Sequence, residues 1–165
     1  MKPRDHALLG AAAAALLLPR LGRRSVAFMA GSVLIDVDHA AEYAWWTGGR
    51  VSFPRGFGRF QDRLWEQVRR PEYLVLNPLH TLECFATVAV LGRSRPWLRA
   101  LLLGMLFHRL LDLLHDSWHG VADKRAVSLL EYALRTRRMR SKGLDPGALM
   151  RAAASQESTG LRRRG

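Results

Sequence analysis

Cysteine is almost absent from this chain: Cys84 stands alone among 165 residues. That excludes an intrachain disulfide and a thiolate zinc site, so any metal ligands must be nitrogen and oxygen. Cys84 itself reads as a small packing residue. Acidic residues are scarce, 14 against 26 lysines and arginines, for a formal net charge of +12. Sustained β-alternation is missing too, which argues against sheet proteins. Long apolar runs are lacking as well. Residues 7–18, 26–35, 82–91 and 98–107 each fall short of the roughly 18 to 20 residues that cross a bilayer.

What is present is helical periodicity. The pattern predicts helices over about 5–18, 25–46, 58–69, 78–92, 96–119 and 122–138, with a weaker one near 146–154. The fold class is all-α: a membrane-associated or membrane-embedded bundle of about four main helices plus amphipathic ones. Segments 25–46 and 96–118 reach spanning length only if their ionisable residues count as interior to the span, where such groups mark function. Trp45, Trp46, Trp97 and Trp118 lie at segment ends, where interfacial aromatics belong. The basic amphipathic stretch 59–70 suits either a membrane interface or packing on the bundle. Residues 1–140 form the expected helical metal-site domain. Residues 141–165 form a basic, largely disordered tail with a possible short helix. The first twenty residues imitate a signal peptide, but no small-x-small site follows, so they are expected to stay as a helix.

The chemistry is concentrated in residues 107–119. At 100° per residue, His108, Asp112, His115 and His119 share a face within about 60°. Carboxylates and imidazoles in an apolar helix are costly to bury, and a metal ion is one way to offset that. His108 and Asp112, one turn apart at about 6 Å, can reach one ion. His108 and His119, roughly 16 Å apart, cannot. His115 is a candidate for a second metal or an outer-shell contact. Three further places carry ligand-type residues at apolar boundaries: His6; Asp36, Asp38 and His39; and His80 with Glu83. Pro78 opens that last helix, placing His80 and Glu83 one turn apart.

These motifs are His6, Asp36-Val37-Asp38-His39, His80-Thr81 and His108-Arg109-Leu110-Leu111-Asp112. Taken in that order, the chain resembles the bacterial membrane-bound metal-dependent hydrolases over roughly residues 5 to 120. One histidine of that family's middle motif is absent here, with Glu83 as its replacement. The resemblance implies an all-helical membrane-embedded protein of the bacterial cytoplasmic membrane, with a polynuclear site.

Two function classes follow. In the first, His6, Asp36, Asp38, His39, His80, His108 and Asp112 bind one to three divalent ions, zinc by ligand type. Asp36 or Glu83 then acts on a metal-activated water in a hydrolase of phosphoester or lipid-like bonds, with Arg109 as the candidate contact for a substrate anion. In the second, a non-catalytic helical membrane protein uses the cluster as a structural metal site or polar network. Membrane lipid is the expected partner because the arginines flank apolar segments without any nucleic-acid motif. Nucleic acid is not expected. A soluble basic binding module is the weakest alternative.

Overall fold

The computed structural model describes residues 3–49 and 53–162. Eight α-helices occur among them: α1 (Pro3–Leu21), α2 (Ser25–Leu34), α3 (Val37–Trp46), α4 (Arg55–Glu66), α5 (Leu82–Leu91), α6 (Pro96–Trp118), α7 (Leu129–Ser141) and α8 (Ala148–Arg162). No strand forms among the described residues; one isolated parallel bridge pairs Val75 with Arg125. The protein is all-α, as expected. The chain divides into two compact units. The first comprises residues up to Val37 together with Asn77–Asp123, and the second Asp38–Leu76 together with residues from Lys124 onward.

In the first unit α2 packs chiefly on α6 and α1. Glycine sets how closely α2 and α6 cross. A Cβ on Gly104 would collide with the Phe28 carbonyl, and one on Gly31 with the Leu101 carbonyl. The apolar core here is small, centred on Ile35, Phe85 and Met105. Much of the buried interior is polar: His6, Ser25, Ser32, His80, Thr81, His108, Asp112 and Asp116. Leucines on the same helices face outward, Leu16 at 79 % exposure and Leu34 at 64 % among them.

The second unit has the ordinary polarity. Tyr43, Phe60, Leu64, Val75, Met150, Ala153 and Ala154 form its core. Phe60 and Leu64 bury one face of α4 against α8, so the stretch read as interfacial or bundle-packed is packed. Glu157, itself buried, accepts hydrogen bonds from Arg59 Nε and Nη2 at 3.0 and 2.7 Å and from Arg63 Nη1 at 2.6 Å.

Three expectations change. The tail expected to be disordered is helical to Arg162, because Met150, Ala153, Ala154 and Glu157 recur at helical spacing and are all buried. The helix expected over 25–46 breaks at Ile35–Asp36 into two ten-residue helices, each only about 15 Å long. α6 has the length of a span, but its ionisable residues deny it the hydropathy. Among the described residues, no helix is long and apolar enough to cross a membrane.

Candidate metal centre

Four segments of the first unit bring five ligand-type side chains together. α1 supplies His6 from its first turns, and the break after α2 supplies Asp36. The short 3₁₀ turn Pro78–His80 supplies His80, and α6 supplies His108 and Asp112. His6, His80, His108 and Asp112 are 3 % exposed or less, and the Asp36 side chain is 17 % exposed. Asp36 therefore marks the side of the cluster nearest solvent.

The distances are short. His108 Nε2 lies 3.3 Å from Asp36 Oδ1, 3.4 Å from Asp112 Oδ2 and 3.2 Å from His80 Nε2. His80 Nε2 is 3.7 Å from Asp112 Oδ2 and 3.8 Å from Asp36 Oδ1. His6 Nε2 meets the other oxygen of the same carboxylate, Asp112 Oδ1, at 3.1 Å, and its ring stacks on His108 with centroids 3.8 Å apart. Asp112 thus offers its two oxygens to different histidines.

Local sequence explains the placement of His108, Asp112 and His80. His108 and Asp112 share a face because they are four apart on a continuous helix. His80 is fixed by Thr81, whose hydroxyl donates to the Pro78 carbonyl at 2.8 Å and accepts from the Cys84 N–H as the N-cap of α5. Because Thr81 is extended, α5 starts at Leu82, and His80 and Glu83 do not sit on one continuous helix. This corrects the one-turn pairing expected of them, and among the described residues no group of converging ligand atoms includes Glu83.

The outer contact of His108 decides its tautomer. Its Nδ1 lies 2.8 Å from the Ser32 carbonyl oxygen. A carbonyl only accepts, so Nδ1 carries the proton and Nε2 presents a lone pair to the cluster when the ring is neutral. Ligating histidines are commonly held this way. Burial is the largest influence on this ring and pulls its pKa down. It is outweighed by hydrogen bonds and charge from Asp112 and Asp36, leaving the pKa raised to about 9. Without a cation, the ring takes up a proton to offset the two carboxylates.

The donor set fits a divalent ion. Two ligand atoms on one tetrahedral zinc, each about 2.05 Å from it, are about 3.3 Å apart, close to the 3.2–3.4 Å around His108 Nε2. His6 Nδ1 is buried without a hydrogen-bond partner, the kind of unsatisfied polar atom that a bound ion or water explains. Within the first unit, His6, Asp36 and His108 form one group able to hold a metal ion, and His80, His108 and Asp112 form another. Imidazole and carboxylate ligands suit zinc but also other first-row ions.

Asp38 and His39 open α3 and belong to the second unit, Asp38 buried and His39 half-buried. Arg109 is half-buried and points about 100° away from His108 around α6. His115 lies one turn beyond Asp112. Its Nδ1 is 3.4 Å from Asp116 Oδ1, and its ring packs on His119 at 4.3 Å. Partial burial holds its pKa below the ordinary value, against the opposing pull of Asp116. His119 Nδ1 lies 2.8 Å from the His115 carbonyl, an ordinary helix-end contact. Sequence reasoning missed the Ser32 carbonyl. The only hint of it was the pairing of small residues, Gly31 and Gly104, on helices that had to meet.

No protein family, no curated protein and no solved structure matches the chain.

Proposed function

We propose that the protein is a membrane-associated, metal-dependent hydrolase acting on a phosphoester or lipid-like ester bond. The observation that carries this reading is the convergence of three imidazoles and two carboxylates, four of the five fully buried, with His108 locked into a ligating tautomer by Ser32. His6, Asp36, His80, His108 and Asp112 would hold the ion. A divalent ion there, zinc by ligand type, would supply Lewis acidity and bring the pKa of water toward neutrality. Asp36 is the carboxylate closest to solvent, so it is the group placed to orient an attacking water and accept its proton. His6 and Asp112 hold each other, and through stacking they hold His108.

A membrane setting, in a bacterium the cytoplasmic membrane, is supported by the inverted polarity of the first unit. Its helices bury histidine and aspartate and expose leucine, valine and tryptophan. Apolar side chains exposed in such number suit a lipid or partner interface. Membrane lipid is the partner this surface suits.

The test is elemental analysis of the purified protein, alongside hydrolysis of chromogenic phosphodiesters and short-chain lipid esters. About one or two equivalents of divalent metal are expected, lost in His108→Ala and Asp112→Asn together with activity. Metal-free protein with full activity would sink the proposal. A second reading rests on the contacts of His108 Nε2 with both Asp36 and Asp112, at 3.3 and 3.4 Å: His108 bridging the two carboxylates as a metal-free structural network. Wild-type protein that binds no metal, yet loses stability in the same two variants, would favour it.

A further inference from the structure

α7 contributes no residue to the metal centre, and its first turns are held by local contacts. Ser128 Oγ caps it by accepting from the Glu131 N–H at 3.1 Å, while Glu131 accepts from the Val127 N–H at 2.7 Å. Glu131 also pairs with Arg135 one turn on, at 2.9 Å. No residue of α7 is buried.

Its two faces differ sharply. At 100° per residue, the half-buried Glu131, Tyr132, Arg135, Thr136 and Met139 occupy one arc of about 140°. The opposite half carries exposed Leu129, Leu130 and Leu134 at the N-terminal end and exposed Arg137, Arg138 and Arg140 at the C-terminal end. Leu130, Leu134, Arg137 and Arg138 fall within about 100° of one another. The outer face therefore presents apolar side chains and guanidinium groups to the same partner.

We propose that this face of α7 docks on an anionic lipid surface, with the leucines entering the headgroup boundary and the arginines meeting lipid phosphates. Interfacial helices carry apolar residues together with lysine or arginine; on α7 the two follow one another along the same face, leucine in the first turns and arginine in the last. Guanidinium pairs bidentately with phosphate, and its apolar stem lies along the acyl boundary. A chain of net charge +12 supplies the attraction. A nucleic acid would use the arginines but leave three exposed leucines unexplained. The inference is independent of the metal centre. It adds a charge-dependent contact to the charge-independent one assigned to the first unit.

The test is co-sedimentation of the full chain with phosphatidylcholine vesicles and with vesicles containing about one-third phosphatidylglycerol. The wild type is expected to prefer the anionic vesicles and to lose that preference at high salt. Replacing Arg137, Arg138 and Arg140 together by Gln should weaken binding to the anionic vesicles by about 100-fold. Leu130→Ser with Leu134→Ser should weaken it too. These side chains are exposed, and circular dichroism checks that each variant is folded. An anionic preference that survives the arginine replacements overturns the proposal. So does a triple variant that loses affinity for duplex DNA while binding vesicles as before. Binding to pure phosphatidylcholine reports the first unit instead, so the two readings fail separately.

Discussion

His108 Nδ1 donates to the carbonyl oxygen of Ser32 across 2.8 Å, between two helices that approach closely only because Gly31 and Gly104 lie at their crossing. The hydrogen bond and the glycine contact are one device. The crossing sets the distance, and the distance sets which nitrogen of His108 faces the cluster.

Gly104→Ala is therefore expected to harm the site without touching a ligand. The new methyl collides with the Phe28 carbonyl, and relieving that overlap costs about 1–3 kcal/mol of stability. Thermal unfolding and metal content measured on one sample should fall together. If metal affinity stays at the wild-type level, Ser32 does not position His108.

Thr81 acts through His80. Removing its hydroxyl in Thr81→Ala deletes both the cap on α5 and the bond to Pro78, at a cost of about 1 kcal/mol for the cap. Metal binding should weaken as His80 loosens. Thr81→Ser should restore both properties, and failure of that rescue would show that the methyl group, not the hydroxyl, matters.

Glu42 supplies a pH signature in the second unit. Burial, and next the negative charge of Asp38, raise its pKa from 4.5 to about 7, against opposing contributions from Arg125 and Trp46. The folded state thus holds this proton more tightly than the unfolded chain. The stabilisation is complete below pH 4.5 and is lost as pH rises to about 7, at no more than about 1.4 kcal/mol per pH unit. Urea unfolding across that window should show the decline in the wild type and a flatter profile in Glu42→Gln.

Glu157 carries the opposite sign. Its hydrogen bond from Arg59, with further help from the Arg59 and Arg63 charges and against burial, holds its pKa below 4.5. The contribution is present above pH 4.5 and disappears as pH falls through the lower folded value. Glu157→Gln should cost about 2 kcal/mol at neutral pH, less than a fully buried pair because Arg59 is partly exposed. It should also blunt acid unfolding. An unchanged acid limb in denaturation curves would remove Glu157 from the account.

Sequence legibility followed the range of the interaction. His108 and Asp112 were legible because both lie on one unbroken helix, where spacing alone decides that they meet. The all-α class and α6 followed from the same periodicity. The break at Asp36 was not legible as a choice between continuing and unwinding, because the partner its carboxylate meets, His108, lies more than seventy residues further on. Glu83 was misplaced because Thr81, a good cap, starts the helix after His80 and not before it. α8 was read too short because its buried stripe continues through Ala153, Ala154 and Glu157, residues that carry little hydropathy. Their burial depends on Phe60 and Leu64 of α4 and on two arginines about a hundred residues away.

The contact between His6 and Asp112 has a consequence for the order of assembly. Its partners are more than a hundred residues apart in the chain, and drawing such distant segments together is entropically slow to repay. During synthesis, His6 leaves the ribosome long before its carboxylate exists. If the cluster binds the proposed ion, its capture would belong to the closing stage of folding, and cells starved of the cation should accumulate a late, nearly finished intermediate sensitive to proteases.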